Sequence, residues 1–165
     1  MRHFLLFVLI SAMAAARQPW QIEEIEFRLE PSLGAKGIIV DLQRSADGKL
    51  VCSWNRLKEI HNADGIVLFV PDDSWRRFDT SSSVFDSLVA RLEGAALRSF
   101  GEDYGRTGTD GSTFVFTRKA SARSLQYRVW SPDRGTLPMQ IANAFLSAAG
   151  LPPLEMLKDD GKKPN

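Results

Sequence analysis

Ile25-Glu26-Phe27-Arg28-Leu29-Glu30 is the stretch from which the fold can be read: Ile25, Phe27 and Leu29 fall on one face of an extended chain and the charged residues on the other. Strict alternation of this kind predicts a half-buried β-strand. Further on, Gly37 to Gln43 and Lys49 to Trp54 flank Ser45-Ala46-Asp47-Gly48, and Asp-Gly supplies the positive φ of a tight turn, so the two segments predict a hairpin. Gly65-Ile66-Val67-Leu68-Phe69-Val70, closed by Pro71, is a continuous apolar run that predicts a strand buried on both faces. Asn55 to Asp64, between them, reads as either a short helix or a loop.

Helical spacing takes over after the serines at 81–83. Phe85, Leu88, Val89, Leu92 and Ala96 form one apolar stripe, predicting a helix from about Val84 to Phe100 with Ser83 as N-cap, Asp86 completing a near capping box, and Gly101 past the end. Ser112 to Arg118 and Ser124 to Trp130 alternate as a second hairpin, with Phe114 and Phe116 on one face of the first strand and Leu125, Tyr127 and Val129 on one face of the second. A closing helix runs from Met139 to Ala149, with Pro138 in its first turn, Ile141, Ala144, Phe145 and Ala148 inward, and Gly150 as its cap. This order favours an α+β fold: an antiparallel sheet of about five to six strands, with two helices packed on one face. One domain over residues 17–153 is expected, and residues 154–165, rich in Lys158, Asp159, Asp160, Lys162 and Lys163, are expected to be a disordered tail.

The N-terminus carries an address. Arg2, then Phe4 to Ile10, then the small residues Ser11 to Ala16 follow the order of a secretory signal peptide, and the apolar run is far short of the roughly 20 residues that span a bilayer. Cleavage fits after Ala14 or after Ala16, the second leaving Arg17-Gln18-Pro19 as a polar start. Removing residues 1–16 takes out Arg2, one of 21 basic residues, and leaves 20 against 20 acidic ones. A neutral chain lacks the basic footprint of a nucleic-acid binder. Cys52, the sole cysteine, can form no internal disulfide, and alternation places it on the face shared by Leu50 and Trp54, as a buried thiol.

Gly108-Thr109-Asp110-Gly111-Ser112-Thr113-Phe114 and Tyr127-Arg128-Val129-Trp130-Ser131-Pro132, followed by an Ala/Leu-rich helix, resemble a module of small exported bacterial proteins of unknown function. In that module an Asp-Gly-Ser/Thr-aromatic strand start pairs with a strand ending in Trp-Ser-Pro, and a helix closes the domain. The resemblance spans Gly108 to Gly150, about a quarter of the chain, with Phe114 where the pattern commonly has Trp. It implies a bacterial envelope protein with an α+β fold and carries over no catalytic residues.

Candidate chemistry is sparse. His61 is the one histidine left after signal removal, and His61-Asn62-Ala63-Asp64 with Asp72, Asp73 and Asp79 matches no metal spacing and has the composition of a turn. No serine stands in G-x-S-x-G, and the glycines at 101, 105, 108 and 111 lack a phosphate-loop spacing. Glu102, Asp103 and Asp110 offer carboxylates in a Gly-rich loop, which could serve glycan cleavage or merely join helix to strand. Trp75, Arg76 and Arg77 in a polar stretch, and Tyr104, Arg106 and Asp110 in the later loop, have the residue types that dominate binding hot spots, although Trp75 could instead pack over the start of the following helix. The expectation is an exported, periplasmic or extracellular, monomeric and non-enzymatic module with no catalytic residues, metal or cofactor and no membrane segment in the mature chain. Its partner would be an unknown protein or envelope component. The alternatives are a small secreted hydrolase using carboxylates or His61, or an inhibitor or immunity-type protein.

Overall fold

The alternating stretch becomes β1 (Glu24–Pro31), near the middle of the sheet. In a computed structural model that describes residues 22–31, 36–72, 74–94, 111–120 and 123–154, it is followed by β2 (Gly37–Arg44), β3 (Leu50–His61), β4 (Val67–Pro71), β5 (Arg76–Asp79), helix α1 (Ser82–Glu93), β6 (Ser112–Ala120), β7 (Arg123–Trp130) and helix α2 (Leu137–Ala148). The strands form one curled antiparallel sheet in the order β4-β3-β2-β1-β6-β7, with β5 also paired to β3. The result is a single small α+β domain, mostly strand.

Period-2 alternation decides which side chains meet. Phe27 stands opposite Val40 on β2 and Phe116 on β6, and Leu42 opposite Cys52 on β3, so one face of the sheet gathers Ile25, Phe27, Val40, Leu42, Cys52, Phe114 and Phe116, all buried. They belong to one cluster with Phe85, Leu88 and Leu92 of α1 and Ile141, Phe145 and Leu146 of α2. The Phe27 ring lies 5.3 Å from Phe116, 5.6 Å from Phe114 and 5.9 Å from Phe145. At the other end, Arg44 of β2 places its guanidinium 5.1 Å over Phe85 and pairs with Asp86 at 3.6 Å.

Several expectations are corrected. Asn55 to His61 is neither helix nor loop: β3 runs on to His61, and the turn is 62–66, where Asn62 Oδ1 accepts from the amides of Asp64 and Ile66 and Gly65 takes φ +75°. The apolar run that follows is not buried on both faces. It forms β4, the last strand on that side of the sheet among the described residues, with Val67 and Leu68 exposed. Arg76 and Arg77 lie in a strand, β5, which raises the strand count among the described residues to seven. Helix α1 is capped by Ser81, not Ser83, since the chain is still extended at Ser81 and its hydroxyl accepts from the Val84 amide at 3.4 Å. It stops at Glu93, because Gly94 leaves helical geometry; residues 95–101 lie outside the described residues. Leu154, assigned to the tail, is buried, with its amide donating to Asn143 Oδ1 at 3.0 Å.

Strands β4 and β5 share one side of β3. Leu57 faces Pro71 and Trp54 faces Arg76, so four residues, 72 to 75, stand against two, Asn55 and Arg56. Buried Asn55 fills the gap by donating from Nδ2 to the Asp72 carbonyl, while the Asp72 amide donates to the Arg56 carbonyl at 2.8 Å. From β1, Arg28 Nη2 donates to the Phe69 carbonyl of β4 at 2.9 Å. Three strand spacings in a flat sheet would be about 14 Å, farther than an arginine side chain reaches. This contact is therefore a direct consequence of the curl.

Candidate functional site

Two regions collect chemistry. The first is the side of the sheet formed by the end of β3 with β4 and β5. Among the described residues, the exposed large hydrophobic side chains are Ile60, Ile66, Val67, Leu68, Trp75, Phe78 and Leu125, and all but Leu125 lie here. Trp75, 38% exposed, immediately precedes β5. Arg76 faces Trp54 across the strands with its guanidinium 5.2 Å over that ring, and Arg77 faces Ser53 on the opposite side of the sheet. Trp75, Arg76 and Arg77 are thus brought together, although alternation points the two arginines to different faces. Tyr104, Arg106 and Asp110, with Glu102 and Asp103, lie outside the described residues.

His61 closes β3 with Nε2 2.7 Å from Glu59 Oε1, and it is largely exposed. Asp72 pairs with Lys58 at 3.6 Å and Asp79 faces Val51. Asp73 lies outside the described residues, and among the described residues no group of three or more His, Cys, Asp and Glu side chains is arranged to hold a metal ion.

The second region is the concave face of the curled sheet, opposite the aromatic cluster. Here the register writes a polar row across six strands: Gln126 on β7, Thr117 on β6, Glu26 on β1, Asp41 on β2, Ser53 on β3 and Arg77 on β5. Glu26 and Asp41 are direct cross-strand partners, and like charges so placed repel. Asp41 is 7% exposed and its Oδ1 has no hydrogen-bond partner. Burial, reinforced by the charges of Glu24 and Glu26, pushes its carboxyl up to about 7. Burial also raises Glu26, against the lowering effects of Arg28 and Lys119. Lys119 in turn holds Glu24, and Arg28 lies 3.5 Å from Glu30. A carboxyl pair of this kind can retain one proton near neutrality.

Sequence reasoning missed this row because it assigned Glu26, Arg28 and Glu30 to a solvent-facing side. A usable signal was Asp41 itself, an acid in the apolar run Ile38-Ile39-Val40-Asp41-Leu42. A third feature, a recess of about 530 Å³ bounded by Ile22, Ala120, Leu125, Ser124, Arg123 and the Arg118–Glu93 pair at 3.1 Å, joins apolar walls to polar and charged ones.

No protein-family model matches this chain, and no curated protein matches it. Among the described residues no helix is long and apolar enough to cross a membrane.

Proposed function

We propose that this chain is an exported, periplasmic or extracellular, non-enzymatic binding module whose two helices cover one face of the sheet and whose recognition surface is the β4–β5 side. The observation that carries the reading is the gathering of Leu68, Trp75, Arg76, Arg77 and Phe78 on one exposed side of a single domain. Aromatic and arginine side chains beside exposed aliphatic ones are the ingredients of a protein-binding hot spot. The signal-like residues 1–16 and the resemblance of Gly108 to Gly150 to exported bacterial proteins support the compartment. The test is affinity purification of the tagged protein from its own cell envelope beside Leu68→Glu and Trp75→Ala variants. A component recovered by the wild type and lost with both folded variants supports the reading. Intact mass of the recovered protein should show a start at Arg17 or Ala15.

The hydrolase alternative draws on Glu26 and Asp41, since neighbouring carboxyls whose hold on protons is strengthened by burial are material for acid–base catalysis. Asp41 is too enclosed to meet a substrate without the surrounding side chains moving aside, so binding is the favoured reading. A screen against peptidoglycan, esters and phosphoesters, in which Glu26→Gln or Asp41→Asn abolished a wild-type activity, would reverse that preference.

A further inference from the structure

The two edges of the sheet are treated in opposite ways. A free edge offers unpaired backbone groups to any strand that approaches, and proteins blunt such edges with short strands, prolines and bulges. The β4–β5 side has all three. Its strands have five and four residues, Pro71 lacks an N–H, and the register with β3 breaks as in a bulge between Pro71 and Arg76, opposite Asn55 and Arg56. Its outward carbonyl at Phe69 is in addition taken by Arg28. The ladder shows that this carbonyl points outward: Asn62 bonds Ile66 and Asp72 bonds Arg56, so the alternate residues Val67, Phe69 and Pro71 turn away from β3.

Strand β7 has none of these devices. It has eight residues, no proline, and an unbroken register with β6 from Ala120↔Arg123 to Thr113↔Trp130. Because the Ser131 amide donates to the Ser112 carbonyl, the residues bonded to β6 are Arg123, Leu125, Tyr127 and Val129. The amides and carbonyls of Ser124, Gln126, Arg128 and Trp130 therefore face outward, and they have no backbone partner among the described residues. Beside them Leu125 is 48% exposed, among the described residues the one large apolar side chain so exposed away from the β4–β5 side.

We propose that the outer edge of β7 pairs with β7 of a second copy of this chain, antiparallel about a twofold axis through Gln126. Only pairings that set outward residues against outward residues satisfy both strands, and centring on Gln126 keeps residues 123–129 fully matched. In that register Gln126 faces its own counterpart, Arg128 faces Ser124, and Arg123 faces Val129, so no like charges meet. Leu125 lies beside Tyr127 of the second copy, an aliphatic–aromatic cross-strand pair of the favourable kind. The contact is isologous and closes, so it forms a dimer and not a filament. Arg128, held by Glu30 at 2.8 Å on the concave side, keeps its cation clear of the seam. This departs from the monomer expected from the sequence and is independent of what the β4–β5 side binds.

Because residue 126 meets itself, one position tests the geometry. Sedimentation of wild type, Gln126→Lys and Gln126→Glu should show a concentration-dependent dimer for wild type and monomers for each variant, with dimer restored when the two variants are mixed. Hydrogen exchange should show protection of the Ser124, Gln126 and Arg128 amides rising with protein concentration, a readout that needs no variant to fold. A wild type that stays monomeric up to about 1 mM, the weak end of specific association, overturns the proposal. So does a dimer indifferent to both substitutions, which would place the seam elsewhere.

Discussion

The Ser131 hydroxyl accepts the Ser112 amide at 3.1 Å while the Ser131 amide donates to the Ser112 carbonyl at 2.8 Å, so one residue closes the β6–β7 ladder with both side chain and backbone. Ser131 does this at φ +39°, alone among the described non-glycine residues in having a positive φ. Ser131→Ala keeps the strained backbone and orphans the Ser112 amide. Loss of about 0.5–1.5 kcal/mol is expected in urea denaturation, the usual net worth of a hydrogen bond that is only partly buried.

Gly111 sits beneath the same corner. A Cβ there would fall 2.1 Å from Ser131 Oγ and 2.9 Å from the Trp130 ring. Gly111→Ala should destabilise by about 1–3 kcal/mol through overpacking, accompanied by a change in tryptophan fluorescence. An unchanged melting temperature would show that the corner opens freely.

Asp41 gives a pH signature. Its carboxyl is raised from 3.8 to about 7 in the folded chain, so between those values the native state holds a proton that the unfolded state has released. Its contribution to stability is therefore greatest at low pH, falls as pH rises from about 4 to 7, and is flat above that. Asp41→Asn should remove this component and be more stable than wild type at pH 8, as the difference between their urea midpoints across pH would record.

Cys52 is fully buried and its thiol is pushed up to about 12, by burial first and by the Asp41 charge second. The thiolate is the reactive form. Native protein at pH 8 should label with a thiol reagent orders of magnitude more slowly than unfolded protein, and rapid native labelling would mean that β3 opens locally.

Phe27 touches three other phenylalanine rings at the centre of the cluster. Phe27→Ala should cost about 3–5 kcal/mol, enough to unfold a marginal domain. Phe78→Ala, at the exposed β5 edge, should change stability far less.

What could be read from the sequence follows from local rules. The Asp47-Gly48 turn, the pairing of Ser112–Arg118 with Ser124–Trp130 and the Gly150 stop at φ +67° depend on neighbours in the chain, and each stands where its residues put it. Residues 65–70 could not be placed by composition, because an edge strand and a central strand can carry the same aliphatic run; their position depends on β3 being long enough to reach them. The serines at 81–83 are each of a type that caps helices, so composition does not choose among them; the extended backbone at Ser81 and its hydroxyl bond from Val84 do. The polar stretch holding Trp75, Arg76 and Arg77 is the approach to a strand and its first two residues, not a loop, because pairing with β3 and not local composition makes Arg76–Asp79 extended. The Glu26–Asp41 pair was not legible, since nothing local says that the charged side of β1 faces the inside of a curl or that residue 41 lies across from residue 26.

The four-against-two break between β4 and β5 also gives this edge a tolerance for change in length. Each strand is fastened to β3 by its own register, that of β4 ending with the bond from the Asp72 amide to Arg56 and that of β5 beginning where Arg76 faces Trp54. Chain added there would alter neither ladder, and loop closure grows only slowly more costly with length. The side of the domain that displays Trp75 and Arg76 is thus where relatives of this chain could lengthen or exchange a loop while leaving the sheet intact, and where a foreign peptide could be grafted.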